Sequence, residues 1–163
     1  MGAYEPELWS DFFVAVAGAS AALAGLVFVA VSINVERILQ YEGLPERALQ
    51  TVLLLLSVLV VAIIGLVPGQ DTDAAGIELL VCALAFAALI WTRGTRSTDP
   101  SSLGSVAVDR LLLVALGTLP FVVGAATLLL ESGGGLYWTA AGIVFATCGA
   151  VANAWVLLVE ILR

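Results

Sequence analysis

Residues 12 to 34 read Phe12-Phe-Val-Ala-Val-Ala-Gly-Ala-Ser-Ala-Ala-Leu-Ala-Gly-Leu-Val-Phe-Val-Ala-Val-Ser-Ile-Asn34, a run with no charged residue. A helix of about 20 such residues crosses the hydrocarbon core of a bilayer, and a run this long and this apolar is not the helix of a soluble core. Comparable runs recur near 48–67, 75–91, 108–130 and 137–162. The sequence therefore predicts an all-α integral membrane bundle of five transmembrane helices, organised as a single transmembrane domain over residues 1–163. Composition agrees, with 61% hydrophobic and 12% charged residues, where soluble domains carry about 25% charged residues. The connections left over are too short for an independent soluble domain, which takes at least about 50 residues.

Arginine sets the expected orientation, because basic residues beside membrane spans are held on the cytoplasmic side while acids have little influence. Arg37 and Arg47 flank the first connection, Arg93, Arg96 and Arg110 surround the third, and Arg163 ends the sequence. None lies in the N-terminal stretch or in the second and fourth connections. This pattern predicts an N-terminus outside and a C-terminus inside, with Trp9, Tyr137 and Trp138 in the outer aromatic belt and Trp91 and Trp155 in the inner one. The stretch before the first span carries Glu5, Glu7 and Asp11, unlike the positive n-region of a cleaved signal peptide, so it is expected to be retained.

The connections follow ordinary turn chemistry. The first helix is expected to run on through Val35, Ile38 and Leu39 until Gly43 breaks it and Pro45 starts the next. Pro68, Gly69, Asp71 and Asp73 predict a short outer loop. Arg93 to Ser105, rich in Ser, Thr and Gly, predicts the longest loop. Gly133, Gly134 and Gly135 predict a tight outer turn that sets the last two helices side by side.

Small residues mark packing faces. Ala15, Gly18, Ala22 and Gly25 fall three and four apart on the first helix, as Thr139, Gly142, Ala146, Gly149 and Asn153 do on the last. Such stripes let helix backbones approach closely, so Gly18, Ala22, Gly25, Gly142, Ala146, Gly149 and Asn153 are expected at helix contacts. Pro120 near mid-span frees the carbonyl of Leu116 and predicts a kink. Its side of the helix, with Gly117, Gly124 and Thr127, is expected to face Ser20, Ser57 or Thr147. Ser20, Ser57, Thr118, Pro120 and Thr147 are thus candidates to line a narrow polar path.

Charge divides unevenly across this topology. Glu5, Glu7, Asp11, Asp71, Asp73, Glu78 and Glu131 place seven carboxylates outside, whereas six acids and six Arg balance inside. Asp71, Asp73 and Glu78 form the candidate acidic outer face, which in an oligomer would concentrate cations at a shared mouth. With no His and two Cys, the sequence holds no metal-ligand cluster, serine elbow or phosphate loop, so neither an enzyme nor a cofactor is expected. A net charge of −7 argues against nucleic acid as a partner.

The opening Trp9-Ser-Asp-Phe-Phe13, with Ala17-Gly-Ala19 and Ala24-Gly-Leu-Val-Phe-Val-Ala-Val-Ser32, resembles small multi-span membrane proteins of high-GC bacteria, some labelled as modulators of the membrane protease FtsH. That resemblance implies a bacterial plasma membrane and a regulatory role. The residues themselves leave two functional expectations: a homo-oligomeric, cation-favouring channel, or a regulatory or assembly subunit bound to another membrane protein. Lipid binding beside Pro120 is a third. Membrane lipids are partners in each.

Overall fold

The computed structural model describes residues 2–41, 43–94 and 103–162, and among them every regular element is a helix. A 3-10 turn at Pro6–Trp9 leads into α1, Ser10–Ile33, followed by a single turn, α2, Val35–Ile38. The long helices α3, Leu44–Ile64, α4, Thr72–Gly94, α5, Leu103–Leu129, and α6, Leu136–Leu162, complete the chain. The expected spans coincide with α1, α3, α4, α5 and α6. Among the described residues, Pro6–Ile33, Leu44–Ile64, Thr72–Ile90 and Leu136–Val159 are long and apolar enough to cross a membrane, and α5 contributes the shorter apolar stretch Ala115–Leu129.

Local chemistry sets the helix limits. Gly43 precedes α3 with φ of 86°, a left-handed conformation that favours glycine, and Pro45 occupies the first turn. α3 stops at Ile64, short of the expected Val67; Leu66 and Val67 N–H groups close tight turns onto Ile63 and Ile64 carbonyls before Pro68, which keeps its predecessor out of the helical region. Asp73 stands in the first turn of α4, where a carboxylate complements the helix dipole. α5 ends in a Schellman closure: Ser132 N–H donates to the Thr127 carbonyl at 3.2 Å and Glu131 N–H to Leu128 at 3.1 Å. The glycine triplet then turns the chain with φ of 92°, 118° and 48°, joining α5 to α6 as expected.

One expectation fails at the far end of α1. The helix does not continue to Gly43 but breaks at Asn34, with φ −105° and ψ 13°, whose Nδ2 donates to the Ala30 carbonyl at 2.9 Å. A short amide can bond its own backbone and so compete with the helical ladder. The stretch expected to form the Arg93–Ser105 loop falls largely outside the described residues, as does Arg163.

α3 packs against α1, α4 and α6, and α5 packs between α4 and α6. Helices α3 to α6 therefore close a four-helix ring, with α1 laid against the outer side of α3. The ring encloses Leu54, Leu55 and Val58 of α3, Phe121 and Leu128 of α5, and Ile143 of α6. A second cluster, Ile38, Leu44, Ala48 and Leu157, ties α2 to the ends of α3 and α6.

Candidate functional site

Three of the hydroxyls expected along a path are held by their own helices. Ser20 donates to the carbonyls of Val16 at 2.8 Å and Ala17 at 3.2 Å, Ser57 to Leu54 at 2.7 Å, and Thr147 to Ile143 at 2.7 Å. Bonding back onto the preceding turn satisfies a hydroxyl without a neighbour or a solute. Ser20, Ser57, Thr118 and Pro120 are buried, Thr147 half-buried. They come from four helices, and the centre of the ring is filled by the apolar side chains of the core. Among the described residues of one chain they form no open path.

The small side of α5 serves close packing instead. A Cβ at Gly117 would come 2.9 Å from Leu54 of α3, and one at Gly124 would come 2.8 Å from Thr139 Oγ1 of α6. These neighbours replace the expected Ser57, Ser20 and Thr147, because Leu54 and Thr139 fill the space the missing side chains leave.

The two small-residue stripes have opposite fates. On α6, Gly142 seats the ring of Phe121, 2.9 Å from where its Cβ would be, and Ala146 is buried, with Gly149 and Asn153 half-buried. On α1, by contrast, Gly18, Ala22 and Gly25 are exposed, and among the described residues no atom lies within 4 Å of a Cβ built on either glycine. Within the described residues no helix contact is made at Gly18 or Gly25. α1 meets α3 through the opposite side, with Phe13 and Ser20 buried and Val16, Ala17, Ala24 and Val27 partly so. Gly18 and Ser20 are two residues, about 200°, apart around the helix.

Three buried polar atoms have no hydrogen-bond partner among the described residues: Gln70 Oε1, Thr139 Oγ1 and Asn153 Nδ2. The Asn153 amide nitrogen is therefore buried, and among the described residues no acceptor meets it.

Asp71, Asp73 and Glu78 are all exposed at the start of α4. Glu78 Oε2 accepts from Gln70 Nε2 at 2.8 Å, and the Asp71 carbonyl accepts from Ala75 N–H at 2.9 Å. Among the described residues no cluster of acids, Cys or His is arranged to hold a metal.

Sequence reasoning missed a strap. Residues 2–9 cross one end of the bundle, where Tyr4 accepts from Thr72 Oγ1 through its carbonyl at 3.1 Å and from Gly134 N–H through its hydroxyl at 3.1 Å. Leu136 N–H donates to the Ala3 carbonyl at 2.8 Å, and Trp9 Nε1 to Gly2 at 2.6 Å. The N-terminus, the α3–α4 connection and the glycine turn therefore meet at one end, and the seven carboxylates assigned to the outer face share it. The Tyr4 and Ala3 contacts lie about 70 and 130 residues away in sequence, which no local pattern reports.

A groove of about 230 Å³ was also not foreseen; it lies between α1, α2 and α6, lined by Leu26, Val27, Ala30, Val31, Asn34, Ile38, Ala154, Leu157 and Leu158. It is not the cleft expected beside Pro120, which is buried. No family model, curated protein or solved structure matches the chain.

Proposed function

We propose that this is a regulatory or assembly subunit of a bacterial-type plasma membrane, without catalytic activity of its own, that docks a helix of another membrane protein on the outer side of α1. The uncovered stripe Ala15, Gly18, Ala22 and Gly25 carries this reading. Lipid tails gain nothing from a surface of small residues, whereas a second helix gains close backbone approach and van der Waals contact. In this reading α5 is the fifth span, its 27 residues reaching about 40 Å at 1.5 Å each. The N-terminus is outside and the C-terminus inside, as the arginines require.

The homo-oligomeric, cation-favouring channel is the second reading, favoured by the carboxylates gathered at one end. It has less support, because the Ser and Thr hydroxyls bond their own helices and any path would have to run between copies.

A photoreactive residue placed at Gly25 in the native membrane tests the first reading. The expected product is one discrete adduct with another membrane protein, lost when Ala22→Leu is added and absent when the probe is moved to exposed Ile77 of α4. Adducts with a second copy of the chain, together with cation flux in liposomes, would replace this reading with the channel. Orientation is checked separately: a cysteine at Ser132 should react with an impermeant thiol reagent in intact cells, and one at Gln40 only after permeabilisation. The reverse pattern overturns the topology.

A further inference from the structure

The groove between α1, α2 and α6 stands apart from the convex lipid-facing surface around it. Ile38 and Leu157 are buried at its floor, while Leu26 and Leu158, 69% and 48% exposed, form its lips. At about 230 Å³ it exceeds the roughly 150 Å³ of an apolar cavity that admits benzene. It has room for a run of methylenes. A helix, about 10 Å across with its side chains, needs far more than the 230 Å³ this groove offers.

The two ends of the groove differ chemically. The lining from α1 and α6 is wholly apolar, and the groove's one polar residue is Asn34, at the junction of α1 and α2. Helical geometry, about 100° per residue, places Arg37 beside the groove-lining Asn34 and Ile38 and carries Glu36 to the opposite side of the turn. A cation therefore flanks the polar end, and Glu36 of the same turn points away. A guanidinium has five N–H donors, so Arg37 can receive a phosphate while keeping its interaction within the chain.

We infer that this groove binds one anionic phospholipid, with an acyl chain between α1 and α6 and the phosphate at Arg37. The walls belong to two helices long and apolar enough to cross the bilayer, so the opening between Leu26 and Leu158 faces acyl tails. An empty groove would forfeit the dispersion contacts of its lining. The site does not depend on the outer side of α1: Gly18 and Gly25 are not among its lining residues.

Native mass spectrometry of the full chain, released from vesicles of mixed phosphatidylethanolamine and phosphatidylglycerol, tests the inference. One retained phosphatidylglycerol is expected, preferred about tenfold, as one hydrogen-bonded charge contact provides. Ala30→Phe and Ala154→Phe fill the groove and should abolish retention, while R37Q should keep a bound lipid and lose the preference. Equal retention by the filled variants, no retained lipid in the parent, or an unchanged preference in R37Q would overturn the assignment. A second measurement needs no variant: phosphatidylglycerol with a photoreactive acyl chain should label 26–38 and 154–158 of the parent protein. Labelling spread evenly onto Ile77 and Val81 of α4 would overturn it as well. Loss of the α1 adduct with lipid retention intact would remove the proposed docking function and leave this site standing.

Discussion

The ring of Phe13 occupies the space that a side chain at Gly65 would need: a Cβ built there falls 2.5 Å from Cε2 of the ring. Phe13 is 1% exposed and comes from α1, where Ser20 is the other buried residue. This seat, at the end of α3, fixes α1 against the four-helix ring. Gly65→Ala should push the ring out and destabilise the protein by about 1 to 3 kcal/mol, the usual cost of overpacking. Phe13→Ala should cost about 3 kcal/mol by emptying the same site. Reversible unfolding in mixed micelles measures both; a Gly65→Ala protein as stable as the parent would show that the ring has room elsewhere.

Gly18 and Gly142 look alike in sequence, each on a stripe of small residues in an apolar helix, and the structure separates them. Gly18→Leu should leave stability within about 0.5 kcal/mol, as exposed substitutions do, because nothing surrounds that position. Gly142→Leu should cost about 3 kcal/mol or more, since its first added carbon already meets Phe121. Thermal stability of the two purified variants decides the matter, and equal losses would place the α1 stripe inside a contact of its own.

That contrast marks where the sequence stops informing. An all-helical chain with several helices able to cross a membrane was legible because it follows from unbroken apolar length, a property of the chain alone. The glycine turn was legible for the same local reason. Which side of α1 faces inward was not, since α1 is apolar all round and both of its sides satisfy the bilayer; only the fit of Phe13 into Gly65 chooses. A path-lining role was not legible either way, because a Ser or Thr in a membrane helix reads the same whether it faces a pore or bonds its own carbonyl, as Ser20, Ser57 and Thr147 do. The break at Asn34 carried a weak signal, a short amide at the end of an apolar run.

The strap gives a local expectation. Tyr4→Phe removes the acceptor of the Gly134 N–H and should cost about 1 kcal/mol, the net value of one hydrogen bond. Its effect should be confined to one end: amide hydrogen exchange should rise at Gly134 and Leu136 and stay unchanged at Ile38 and Leu39. Faster exchange at both ends would mean that the strap stabilises the whole bundle rather than its own end.

Glu131 holds φ of 45°, a left-handed conformation that costs an ordinary L-residue roughly 1 to 2 kcal/mol, and it does so at the position where the Schellman closure of α5 usually carries glycine. Its side chain is exposed, so removing it takes little packing away. Glycine relieves the backbone strain but widens the unfolded ensemble, which returns part of the gain. Glu131→Gly should therefore stabilise the protein by about 0.5 to 1 kcal/mol, whereas Glu131→Val, branched at Cβ, should destabilise it. Unfolding of the pair in the same detergent gives the sign directly. Should glycine weaken the protein, the Glu131 carboxylate must contribute more at this turn than its backbone costs.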